Sequence, residues 1–228
     1  MIKRVTILIT LALLGVIFLQ MVAEYSPSTA LNPLSQHYVA SGPDELGAAN
    51  IVTAVVVTYR GLDTLGEVAV LFISAAGVGL LLRRHAGGKA EKKHRRPSSE
   101  LVGTAIHFLL PLIFVLGIYI FINGHLTPGG GFQGGAVMAS GIMLLLLADP
   151  DTRLNHGIIE WLESSSGFSY VVVGILGLAF AGGFLDNRFL DLGTFGELFS
   201  AGAIPIIYIF IGLKVGTELS AVLERMKD

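Results

Sequence analysis

From Val5 to Val22 the chain runs for eighteen residues without a charge, directly behind Lys3 and Arg4. About eighteen apolar residues suffice to cross the hydrocarbon core of a bilayer. The run is longer than the apolar core of a usual secretory signal, and no A-x-A cleavage pattern follows it. It therefore reads as an uncleaved first membrane helix. Further spans are expected at Thr64–Leu82, Val102–Ile122, Phe132–Leu147, Phe168–Phe184 and Leu198–Thr217. Composition agrees, since 53% of the residues are hydrophobic and only 14% are charged, against roughly 25% charged in a soluble domain. The 29 glycines suit helices that approach closely in lipid, where small residues line the contacts. The expected fold class is all-α: a polytopic membrane protein of about six transmembrane helices with one discontinuous segment.

The discontinuity is a matter of length. Gly47 to Leu82 is apolar except at Arg60, Asp63 and Glu67. As one straight helix it would reach roughly 54 Å at 1.5 Å per residue, far beyond the ~30 Å core. The sequence predicts a short, non-spanning helix over Ala48–Tyr59, a break at Arg60–Asp63, and a spanning helix from Thr64. Broken helices at membrane depth are tolerated only against protein or a wet cavity, so this segment belongs inside an assembly. The prolines and glycine of Glu24–Pro43 read as a loop. Asp149–Ser166 reads as a polar connection carrying an apolar stripe at Ile158, Ile159 and Leu162, with Trp161 at the interface. Beyond the last span, Leu219, Val222, Leu223 and Met226 recur at helical spacing.

A basic segment, Arg83 to Arg96, divides the chain. It suggests three parts: a membrane module over 1–88, a basic linker over 89–100, and a four-helix membrane module over 101–228. Orientation follows from the same charges. With six spans and both termini in the cytoplasm, the inner side holds Lys3, Arg4, the linker, Arg153, Arg225 and Lys227, and the outer side keeps only Arg188, with Arg60 near or within the membrane. The chain has no cysteine, which excludes disulfides, thiolate metal sites and cysteine nucleophiles. A net charge of −2 argues against a nucleic-acid partner.

Few residues carry chemistry. Thr64-Leu65-Gly66-Glu67 and Thr194-Phe195-Gly196-Glu197 each match the capping box, in which Thr at the N-cap and Glu three residues on satisfy each other's backbone donors. That is the plain reading of both glutamates. Glu67 has a second, because with Arg60 and Asp63 it falls where a helix breaks, and ionisable residues there mark ion routes and proton relays. Arg60 would then tune the two carboxylates through its charge. Lys214, one turn before Glu218, is either a lysine snorkelling to the interface or a relay lysine facing the bundle interior. His107, four residues before Pro111, reads as packing. His125 is a weaker transfer candidate. Gly129, Gly130, Gly131, Gly134 and Gly135 form a structural turn that cannot propagate a helix and lets backbones meet. No lysine follows to make it a phosphate-binding loop. No metal site or cofactor is expected.

Gly124-His125 followed by Pro128-Gly129-Gly130-Gly131-Phe132-Gln133-Gly134-Gly135 resembles the signature of the B subunit of Mrp-type multisubunit sodium/proton antiporters. Phe199 to Gly202 and Gly212 to Val215 resemble that subunit's C-terminal pattern. Tyr59-Arg60-Gly61-Leu62-Asp63-Thr64-Leu65-Gly66-Glu67 is similar to the E subunit of membrane-bound hydrogenases, a module that also ends the large A subunit of Mrp antiporters. The two resemblances cover nearly all of the chain. Here the first module is detached from any large subunit and joined to the B-like one, as in respiratory complexes with a Mrp-like module, such as membrane-bound hydrogenase or sulfane reductase. The resemblance implies a membrane subunit of the sodium-translocating part of such a complex, with Asp63 and Glu67 at matching positions. The implied partners are other membrane subunits, sodium ions, protons and the lipid bilayer. A purely structural scaffold subunit is the alternative, and any redox chemistry would belong to partner chains.

Overall fold

The computed structural model describes residues 2–26, 30–85, 99–149 and 151–227. Most of the basic linker, including residues 86–98, lies outside the described residues. The described chain is all-helical: α1 (Ile2–Glu24), α2 (Pro33–Leu46), α3 (Ile51–Thr53), a π-helical segment (Ala54–Tyr59), α4 (Gly61–His85), α5 (Glu100–Ile122), α6 (Gly131–Ala148), α7 (His156–Phe180), a 3₁₀ turn (Asn187–Phe189) and α8 (Ile204–Lys227). Six of these helices are long and apolar enough to cross a membrane. The chain is a multi-pass membrane protein.

Two compact units share the chain, residues 1–36 and residues 37–228. The first holds α1, whose side chains are almost all exposed, as a helix solvated by lipid or neighbouring subunits would be. Before α2 comes the first departure from the sequence expectation. Pro33 opens a helix where a loop was expected, because Asn32 Oδ1 accepts from Ser35 N at 2.7 Å and proline suits the first helical position.

In the second unit α8 is central and packs against α4, α5, α6 and α7. Its buried face carries Ile204, Ile207, Tyr208, Ile211 and Val215. Glycine sets how near the helices come. A β-carbon on Gly135 of α6 would lie 2.7 Å from the Gly212 carbonyl oxygen of α8, and one on Gly131 would lie 2.6 Å from Ile211 Cβ. The glycine turn is shorter than the sequence implied: Gly130 turns the chain into α6 with φ +151, a backbone conformation that side chains disfavour, while Gly131, Gly134 and Gly135 lie inside that helix, where their lack of a side chain serves close packing.

The expected break is present, but it is tighter than the sequence implied. The π-helical segment closes on Arg60, whose N–H donates to Val55 O at 2.8 Å, and α4 resumes at Gly61. A β-carbon on Gly61 would meet Leu185 Cδ1 at 2.9 Å, so the close approach of that loop fixes where the chain turns. Neither capping box forms. Thr64 Oγ1 donates to Val56 O at 2.5 Å, and Glu67 sits in the second turn of a helix already under way. At the other position Glu197 N donates to Thr194 O in an isolated turn. Gly196, Ala201 and Gly202 all take positive φ, so α8 starts at Ile204 rather than Leu198. A further difference is α7, which starts at His156. Asn155 Oδ1 caps it, accepting from Ile158 N at 3.2 Å, and turns most of the expected polar connection into helix.

One end of the unit is tied together by buried amides and hydroxyls. Asn50 Nδ2 donates to Gly124 O at 2.9 Å and to Thr127 O at 3.0 Å, while Asn50 Oδ1 caps α3 through Val52 N. Tyr208 OH donates to Thr53 Oγ1 at 2.8 Å, and Thr53 Oγ1 passes its own proton to Gly124 O at 2.7 Å. Asn187 Nδ2 donates to Leu46 O and Ala201 O, both at 2.8 Å. Buried polar backbone left unpaired is costly, and here side chains distant in sequence satisfy it. The other end is tied by Glu224, whose Oε1 accepts from Leu154 N at 2.9 Å.

Candidate functional site

Arg60 and Asp63 form an ion pair at the mouth of α4, with side chains 63% and 55% exposed. Such a pair stays open to solvent or to a neighbouring subunit. Glu67, one turn further in, is also exposed and lies within electrostatic reach of the Tyr170 hydroxyl on α7. Tyr170 is 2% exposed, and its hydroxyl has no hydrogen-bond partner among the described residues.

Lys214 faces the bundle interior. It is 8% exposed, so the snorkelling reading does not describe it here. Its ammonium nitrogen stands 3.5 Å from Glu218 Oε1 and 3.7 Å from Glu163 Oε1, and 5.1 Å from the centre of the Phe72 ring. Three helices thus hold one cation between two carboxylates and an aromatic face, the arrangement that makes a buried ammonium tolerable. Gly167 of α7 makes room, since a β-carbon there would press on Lys214 Cδ at 3.3 Å.

α4 and α8 both start at the end that carries the 185–203 loop, and α7 ends there. At 1.5 Å per residue, Glu67 lies roughly 9 Å into α4, Lys214 roughly 15 Å and Glu218 roughly 21 Å into α8. Counted back from the end of α7, Tyr170 lies at roughly 15 Å and Glu163 at roughly 26 Å, so with depth Glu67 comes first, Tyr170 and Lys214 share a level, and Glu218 and Glu163 follow.

His125 is elsewhere. It is fully buried in the loop after α5, where Nε2 donates to Glu197 O at 3.3 Å and its own carbonyl accepts from Asn50 N at 2.9 Å. Burial holds its pKa below the ordinary histidine value, outweighing the backbone hydrogen bonds that act in the opposite sense. The structure does not bring it to Lys214. His107 Nδ1 pairs with Gly103 O one turn back at 2.7 Å, on an exposed face.

Sequence reasoning missed Glu163 because it assigned Asp149–Ser166 to a connection, and it passed over Tyr170 as one residue of the expected span Phe168–Phe184. The available signal was the spacing Glu163, Ser166, Gly167 and Tyr170, one face of a helix. The expected apolar stripe is split: Trp161 is 68% and Ile158 56% exposed, while Ile159 and Leu162 are half-buried.

A family model described as a domain related to the MnhB subunit of Na+/H+ antiporters matches residues 101–221, just over half of the chain. The chain belongs to this family. As an MnhB-related protein it carries a second match ahead of that domain, residues 3–98 to the MbhE family, described as the E subunit of MBH. Among solved structures, a chain of the membrane-bound sulfane sulfur reductase, an archaeal respiratory membrane complex, is 42% identical, with TM-score 0.79 over 99% of this chain and 98% of that one. A protein of Methanocaldococcus jannaschii is 31% identical over 75% of this chain and 74% of its own length. The B subunit of the Bacillus subtilis Na+/H+ antiporter is 44% identical over 99 residues, 42% of this MnhB-related chain and 68% of the relative.

Proposed function

We propose that this chain is a membrane subunit of a Mrp-type cation/proton antiporter module, built into a respiratory complex of the sulfane-reductase or membrane-bound-hydrogenase kind. The observation that carries this is the near end-to-end likeness, at 42% identity, to a chain of the archaeal sulfane reductase. In this reading redox chemistry belongs to partner chains, and this subunit contributes to the passage of sodium ions or protons. Asp63 and Glu67 exchange the ion or proton at the open mouth of α4, and Arg60 keeps one carboxylate ionised. Lys214 carries charge onward in the bundle, and His125 and the Gly129–Gly130 turn ahead of α6 hold the outer loops. Both termini and the 83–96 linker face the cytoplasm, an orientation that the distribution of basic residues supports.

The exposed Arg60–Asp63 pair and exposed Glu67 support this reading, because an ion route shared between subunits needs ionisable groups on an open face. Purifying the complex through an affinity tag on this chain tests it. Co-purification of other membrane subunits, together with sodium-dependent proton movement in vesicles that is lost when the chain is deleted, is the expected result. Recovery of the chain alone would refute the assignment. Full assembly with ion movement indifferent to every carboxylate of the chain would instead make it a scaffold.

A further inference from the structure

A cavity of about 120 Å³ opens between α4, α7 and α8, lined by residues that include Phe72, Ala75, Glu163, Glu218, Val222 and Arg225. It has ample room for more than one water. Glu218 is 1% exposed, yet it lines this space. Its Oε1 is taken by Lys214 at 3.5 Å, while its Oε2 has no hydrogen-bond partner among the described residues. A buried carboxylate oxygen left bare is costly, and a water or a proton in the adjoining cavity removes that cost.

The charges around Glu218 come from two helices, α8 and α7. On its own helix are Lys214 and, two turns on, the exposed Arg225. From α7 comes Glu163, 3.7 Å from Lys214 and half-buried. From α4, among the described residues, come Phe72, Ala75 and Ala76, none of them charged. One ammonium serves two carboxylates, and the trio is one positive charge short of neutrality when all three groups are ionised.

We propose that this cavity is a proton-loading station, in which water entering past Arg225 delivers a proton to Oε2 of Glu218 and Lys214 shifts its pairing toward Glu163 as that proton arrives. The proton passes from a hydronium ion in the cavity to the carboxylate, leaving water, and returns by the same path, while Lys214 stays an ammonium throughout. The station deepens the proposed transport role and rests on it for its purpose, but the site itself is testable without transport. Glu218 lies in the half of α8 remote from Asp63 and Glu67, so it supplies a second group deeper in the bundle than the first pair.

Dicyclohexylcarbodiimide, which attacks protonated carboxyl groups in apolar surroundings, is the probe. The whole detergent-purified complex is treated at about pH 6 and about pH 8, and adducts are located by mass spectrometry. The expected result is an adduct on Glu218 that is several-fold more abundant at the lower pH, absent in Glu218→Gln, and unchanged when sodium chloride replaces choline chloride. Lys214→Met should raise labelling at the higher pH and Lys214→Arg should not, because only the first removes the charge that favours the carboxylate. No adduct at either pH, or equal adduct at both, would overturn the proposal. Protection by sodium would also overturn it, by making Glu218 a sodium ligand. Because the wild-type complex is labelled without energisation, these outcomes are independent of whether exchange is observed in vesicles.

Discussion

Gly117 of α5 and Gly134 of α6 meet backbone to backbone: a β-carbon on Gly134 would stand 2.5 Å from the Gly117 carbonyl oxygen. Backbone cannot yield as a flexible side chain can, so this spacing sets the α5–α6 crossing. Gly134→Ala is expected to destabilise the protein by about 1–3 kcal/mol through overpacking and to lower the yield of assembled complex. Gly103→Ala is the control, since nothing lies within 4 Å of a β-carbon there. Thermal denaturation of the two variants in detergent checks this, and equal midpoints would contradict it.

The hydroxyl relay Tyr208 to Thr53 to Gly124 O joins the short broken helix to the glycine loop. Tyr208→Phe removes one buried hydrogen bond, at a cost of about 0.5–1.5 kcal/mol. Asn50→Ala costs more, because it deletes the α3 cap and strips partners from two loop carbonyls at once. The cap alone is worth about 0.5–2 kcal/mol. Hydrogen–deuterium exchange over 50–54 and 123–130 should quicken together in Asn50→Ala. Quickening confined to one segment would mean that they are not coupled.

Lys214 carries the prediction with the largest stability effect. Lys214→Met leaves Glu218 buried without its cation, and breaking a buried pair from one side costs about 3–5 kcal/mol. Lys214→Met combined with Glu218→Gln removes both charges and should recover most of that loss. Midpoints of thermal denaturation for the single and double variants test this. A double variant no more stable than the single would show that the pair does not act as a unit.

His125 gives a pH dependence whose sign follows from its buried, neutral state. Its folded pKa lies below the ordinary value of 6.5, so at lower pH the unfolded chain binds a proton that the folded one resists. Stability from this group is complete above about pH 6.5 and falls as pH drops toward the folded pKa. Denaturation midpoints of wild type should fall more steeply below that pH than those of His125→Gln. Parallel curves would contradict this.

Much of the fold was legible in sequence because bilayer thickness constrains apolar runs. The six spans and the break near Arg60 follow from counting residues against a core of about 30 Å, whereas the glycine cluster marked a turn of which only Gly129 and Gly130 precede α6. The errors have a common cause. Thr64 and Glu67 satisfy a local capping pattern, but Thr64 is drawn to Val56 O by the fold of the broken helix, and Leu185 against Gly61 moves the helix start three residues earlier. At Glu197 the chain is held by His125 and by left-handed residues, none of which a four-residue pattern contains. Glu163 was hidden because the first half of α7 turns Glu163 and Ser166 inward and Ile158 and Trp161 outward, a pattern that in a water-facing helix would mark a surface connection.

Passage of ions or protons through this subunit is tested most directly by Glu67→Gln. The substitution keeps size and hydrogen-bonding capacity while removing the titrating group. Glu67 is exposed and makes no cap, so assembly should be preserved. In vesicles containing the whole complex, sodium-dependent proton exchange normalised to assembled protein should be abolished in Glu67→Gln and reduced more mildly in Asp63→Asn. Wild-type exchange in Glu67→Gln would contradict a route through this carboxylate.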